Sequence, residues 1–154
     1  MATAERAFTV SRISSKPPKL KRNQVIRQAG SILLMVENDH TPSDEEWNEF
    51  LALLVTHRAE LPTFRLLVVT TGGGPNTAQR KRLEQTLGGI RMRVAVISDS
   101  MKVRFIASTI MLFHRDHRAF STSELSEAYE YLGLSPTDRR RVEVAIREME
   151  QMVR

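Results

Sequence analysis

Residues 24–37 read QVIRQAGSILLMVE, and this stretch decides the fold. Gln24–Gln28 and Ser31–Glu37 flank Ala29-Gly30, where a glycine permits a tight turn, so the two runs form a hairpin. The second run, SILLMVE, is almost continuously apolar, as expected of a strand covered on both faces. Strands of that kind belong to sheets sandwiched between helices.

Working toward the C-terminus, strand and helix signals alternate four times. The segment TPSDEEW opens the first helix: Ser43 stands at a capping position with Glu46 three residues on, the capping-box spacing. Trp47, Phe50, Leu51 and Leu54 follow as one apolar stripe at helical spacing, and the helix is expected to stop near Leu61-Pro62. Arg65–Thr70 is a short buried strand. A helix through TAQRKRLEQTL follows, ended by Gly88-Gly89. Met92–Ser98 is the next strand, Asp99 or Ser100 caps a helix running to about Phe113, and His117–Ser121 is a short strand at a sheet edge. Ser121 and Glu124 repeat the capping-box spacing before a short helix, and Ser135-Pro136 starts a last one over 136–153 whose packing face is Val142, Ala145, Ile146, Met149 and Val153. The expected architecture is α/β: a mixed, mostly parallel sheet of four to five strands, covered by helices. Two parts are expected, a flexible basic arm over 1–23 and a domain over 24–154.

The 154 residues suffice for one domain with a sizeable core, and the chain has no cysteine, which excludes disulfides, thiolate metal sites and cysteine nucleophiles. No run reaches the length of a membrane span, and MATAERAFTVSRISS lacks the apolar stretch of a secretory leader, so a cytoplasmic location is expected. Charge is unevenly placed. Residues 1–28 carry seven cations against Glu5 alone, a net of +6; the whole chain carries +5, which leaves −1 for the remainder. The basic character belongs to the arm. It could contact an acidic partner, but it has no interleaved aromatics for base stacking, so nucleic acid is not the expected partner.

The order of elements, with SILLMVENDHTPSDEEWNEFLALL, RVAVISDSMKVRFIASTIMLF and RAFSTSELSEAYEYLGL, resembles the STAS family, the domains of anti-sigma-factor antagonists, and their relatives sharing a fold with Sec14-type lipid-binding domains. The resemblance covers roughly residues 24–134. It implies a bacterial signalling module that docks on a protein partner and catalyses nothing, controlled by phosphorylation of a hydroxyl residue that follows an aspartate after a central strand. Here the matching place reads Val69-Thr70-Thr71-Gly72, without the Asp-Ser pair.

Three groups of residues stand out as candidates. The loop TTGGGPNT (Thr70, Thr71, Gly72, Gly73, Gly74, Asn76) precedes a helix start, a combination suited either to an anion or to a close approach of backbone. Ser98, Ser100 and Lys102 end the neighbouring strand at the same sheet edge, where open α/β sheets bind ligands. The helix from Met101 carries apolar residues on two sides; Met101, Phe105, Thr109 and Leu112 mark its second side as a partner or self-association surface. His114 and His117 lie three apart but among arginines, which disfavours a metal. No catalytic set and no cofactor motif is visible. A protein-docking module is the first reading. A carrier or sensor of small apolar molecules or anions is the second, with a pocket between that helix and the sheet, favoured if the structure holds an enclosed apolar cavity larger than about 300 Å³.

Overall fold

A computed structural model describes residues 22–111 and 116–153. The sequence expectations for residues 1–21, Leu112 and His114 lie outside the described residues. Five strands, β1 (Gln24–Ala29), β2 (Ile32–Glu37), β3 (Arg65–Thr70), β4 (Arg93–Ile97) and β5 (His117–Phe120), form one sheet in the order β1-β2-β3-β4-β5. β1 runs antiparallel to β2, and all other pairs are parallel. The hairpin turn is made at Gly30, whose φ of 62° is open to glycine at little cost.

Among the described residues, five α-helices connect and cover the strands: α1 (Asp44–Thr56), α2 (Thr77–Leu87), α3 (Met101–Met111), α4 (Leu125–Leu132) and α5 (Pro136–Val153). Right-handed crossovers between consecutive neighbouring strands send every connecting helix to the same side. Accordingly α1, α2 and α3 share one face, while α4 and α5, both following β5, cover the other. Strand alternation sorts the core the same way. Leu33, Met35, Leu66, Val68 and Val96 pack with Trp47, Phe50 and Leu54 of α1. Ile32, Leu34, Val36, Leu67, Ala95 and Ile97 pack with Tyr129 and Leu132 of α4 and Val142, Ala145 and Met149 of α5. All six residues of β2 are buried, as its apolar run implies.

The helix starts follow the caps read from sequence. Ser43 Oγ accepts from Glu46 N, and the Glu46 carboxylate accepts from Ser43 N. Ser121 and Glu124 form the same pairing, there closing a 3-10 turn (Thr122–Glu124) ahead of α4. One expectation shifts, and one stated alternative is decided. The first helix ends at Thr56 and not near Leu61-Pro62; a 3-10 segment (Arg58–Thr63) carrying Pro62 takes over, because proline cannot donate to an α-helical ladder. Asp99 does not cap α3. Its carboxylate accepts from Thr122 N and Oγ1, tying the end of β4 to the start of α4, and Ser100 Oγ receives Val103 N instead.

Candidate functional site

Between the sheet and the α1–α3 layer lies a pocket of about 910 Å³. Its floor is the strand face of Met35, Glu37, Val68, Thr70 and Val96; Trp47 and Phe50 of α1, Leu83 and Leu87 of α2, and Val103, Ala107 and Ile110 of α3 form the sides. The space exists because α2 is a polar helix. Gln79 is its one buried residue, and Leu83 and Leu87 are its only large apolar side chains, partly buried at the core margin. A sheet of bulky aliphatics facing so thin a cover leaves apolar surface unfilled.

Glu37 sits on this floor. The alternation that turns Leu33 and Met35 toward α1 turns Glu37 the same way, one position further along. Its side of the sheet is shared with Gln24, its antiparallel partner, and Thr70, its parallel one. Glu37 is 2% exposed, and its Oε2 has no hydrogen-bond partner among the described residues. Burial in this apolar setting, with a smaller push from the Glu46 carboxylate, raises its pKa from 4.5 to about 8. At neutral pH the side chain is mostly a neutral acid. Glu46, the other buried carboxylate, is treated differently. Burial also pushes it upward, but donors from the backbone of Ser43, Gln24 and Asn23 and from the Ser43 hydroxyl outweigh this and hold it below the ordinary range.

The glycine loop borders the same space. Thr70, Gly73 and Gly74 line the pocket, and Thr71 points to solvent. The N–H groups of Gly72 and Gly73 are not displayed to an anion, contrary to one of the two expectations for this loop: Gly72 N donates to Thr70 Oγ1 and Gly73 N to Asn38 O at 2.8 Å. Thr70 Oγ1 donates in turn to Gly73 O at 2.8 Å. The other expectation, close backbone approach, describes the loop. A Cβ on Gly73 would lie 2.1 Å from His40 O and 2.6 Å from Asn38 O. Asn76 caps α2 through Gln79 N, and Gln79 answers with its own carboxamide to Asn76 N, Pro42 O and Asp44.

The remaining candidates separate. Ser98 is buried and its Oγ accepts from Ser100 N, Ser100 heads α3, and Lys102 is exposed. On α3 the inner side, Val103, Ala107 and Ile110, faces the pocket, joined at its edge by Thr109; Met101 and Phe105 on the outer side are 84% and 73% exposed. Asp116, next to His117, pairs with Arg91 at 2.8 Å. The residue that sequence reading missed is Glu37. The signal was present in the period-two alternation Leu33, Met35, Glu37, which places an acid on a core-facing position.

One solved structure superposes on most of the domain: an uncharacterised protein of the DUF3478 family with a SpoIIAA-like fold from Shewanella loihica PV-4, at a TM-score of 0.52 and 15% identity, covering 76% of this chain and 98% of that one. This chain has a SpoIIAA-like fold. That is the fold of the STAS domains the sequence resembles. No family model matches the sequence, and no curated protein matches it. No helix among the described residues is long and apolar enough to cross a membrane.

Proposed function

We propose that this protein is a non-catalytic binding module whose primary ligand is a small, largely apolar molecule held between α2, α3 and the sheet. The observation that carries the reading is the pocket itself. Its volume of about 910 Å³ lies in the range of small-molecule sites. Its lining is largely aliphatic and aromatic, with charged groups at Arg80, Glu84, Arg91, Asp116 and His117 and a single buried carboxyl on the floor, a make-up suited to holding an apolar body and orienting it by a polar group. Chemistry is not part of the reading. The hydroxyl in register with Glu37 on the neighbouring strand, that of Thr70, commits its hydrogen to Gly73 O.

The test is a titration of the full chain with Nile red, a neutral dye that brightens in apolar surroundings. Saturable binding of one dye per chain is expected, lost in Val103→Trp, which fills the pocket from its α3 side, with the folded signal in circular dichroism retained. Fluorescence that rises without saturation, or binding undiminished in a folded Val103→Trp variant, refutes it.

A second reading is supported by the outer side of α3. Met101 and Phe105, one turn apart, expose large apolar side chains on a surface otherwise rich in charge. They suit a regulatory module in the STAS manner, docking on a protein partner or a second copy in the bacterial cytoplasm. The two readings are compatible, because the helix that would dock also walls the pocket.

A further inference from the structure

Among the described residues the pocket floor carries one acid, Glu37, and no cation. Glu37 is in no ion pair of the described residues, and the charged group that acts on it most is another carboxylate, Glu46. Around the pocket, Arg80 of α2 is bonded to Pro75 O and Thr77 Oγ1, and Arg91, ahead of β4, is paired with Asp116. Glu84 of α2 and Asp116 and His117 at β5 complete the charged lining, while Arg22, 3.8 Å from Glu46, pairs with Glu49 at 2.6 Å and does not line the pocket. Lys102 and Arg104 of α3 face solvent. Across the hairpin from Glu37, the Gln24 amide nitrogen donates to Glu46 O, and its Oε1 has no partner among the described residues. Two buried oxygens thus face the same side of the sheet with no donor among the described residues. Glu46 shows what a satisfied carboxylate looks like in this fold, and Glu37 lacks each of those donors.

We propose, resting on the pocket reading above, that the ligand is an amphiphilic amine: an apolar body in the pocket with a protonated nitrogen against Glu37. An ammonium group supplies both the missing donors and the missing positive charge, and a charge-assisted pair in a low-dielectric site is worth more than one in water. A fatty acid brings a second carboxyl group against Glu37, the one buried acid of the floor, which already feels the Glu46 carboxylate, and is disfavoured. The proton balance follows from the chemistry. At pH 7 the free protein holds Glu37 as the neutral acid and the amine arrives as its ammonium; forming the ammonium–carboxylate pair sends the carboxyl proton to solvent. Affinity for the amine therefore rises with pH until Glu37 is ionised in the free protein as well.

The experiment is calorimetric titration of the full chain at pH 7 with decylamine, decanol and decanoate, which share one chain length and differ in head group, in two buffers of different ionisation enthalpy. Decylamine is expected to bind about tenfold or more tighter than decanol, with decanoate weakest. About one proton should be released per amine bound, and with Glu37→Gln the amine should fall to the level of decanol and release none. Decanoate binding tightest, equal affinity for amine and alcohol, or an amine preference that survives Glu37→Gln overturns the assignment while leaving the pocket intact. Failure of all three probes together with Nile red removes the pocket reading, and the amine with it.

Discussion

Replacing Glu37 with Gln should make the folded protein more stable, and more so the higher the pH. Glutamine keeps the shape of the protonated side chain and never ionises. In the wild type the folded-state pKa stands near 8 against an ordinary 4.5, so between those values the folded state holds a proton that the unfolded chain gives up. The sign follows: stability from this group is fully present below 4.5, drains away as pH rises, and is gone above about 8. At 1.36 kcal/mol per pKa unit, the whole span corresponds to about 5 kcal/mol, which for a chain of this size is about 10–20 °C in Tm. Glu46 has the opposite sense, its contribution being lost as pH falls below the ordinary carboxylate range, so it does not mask the effect between pH 5 and 9. Urea unfolding followed by fluorescence of Trp47, the single tryptophan and a buried one, at pH 5, 6, 7, 8 and 9 measures the difference. The two proteins should be close at pH 5 and separate steadily to pH 8. Parallel stability curves across that range would show that Glu37 is not held neutral, and the argument about the pocket floor would fail with it.

Two further outcomes follow from the loop and the exposed helix. Gly73→Ala should cost several kcal/mol or prevent folding, because its Cβ meets two backbone carbonyls, whereas Gly74→Ala, with nothing within 4 Å, should stay within about 0.5 kcal/mol in the same unfolding assay. Phe105→Glu should leave Tm unchanged within about 2 °C, since the side chain is mostly in solvent; if the outer side of α3 is a contact between copies, the variant should elute later than wild type from a sizing column, and an unchanged elution volume removes that role.

Much of the architecture was legible because several local signals agreed. The unbroken apolar run of β2, the two Ser-to-Glu capping spacings and the Asn76–Leu87 segment each combined propensity with a clear boundary, and each element lies where those signals place it. One boundary moved: the first helix stops at Thr56, short of Leu61-Pro62. Asp99 had two helix starts within reach and served the second, a choice made by the spacing of β4 and β5, which sequence does not show. The pocket was harder to foresee. It arises from what α2 fails to fill, and a shortage of side-chain volume becomes visible only once the facing strands are known. Glu37 looked like a strand end leading into a polar turn, and its burial depends on the depth at which α1 and α2 cross the sheet. For the glycine loop the residue pattern was informative but its cause was ambiguous, since the same three glycines suit an exposed anion nest and a crowded backbone crossing.

The sequential strand order has a bearing on how the protein is born. One face of the sheet is clothed as it is made, each crossover helix emerging between the strands it spans. On the opposite face α4 reaches β4 and β5, but the part over β1 and β2 stays bare until Pro136–Val153 has left the ribosome, because that helix supplies their packing, with Arg27 reaching Glu148 and Asn38 reaching the carbonyl of Val153. A nascent chain stalled after β5 would therefore present a complete set of strands with half its oily surface uncovered, a natural client for chaperones. Ribosome-bound chains truncated before residue 136 should aggregate or recruit such helpers, while those extended past residue 153 and clear of the exit tunnel should not.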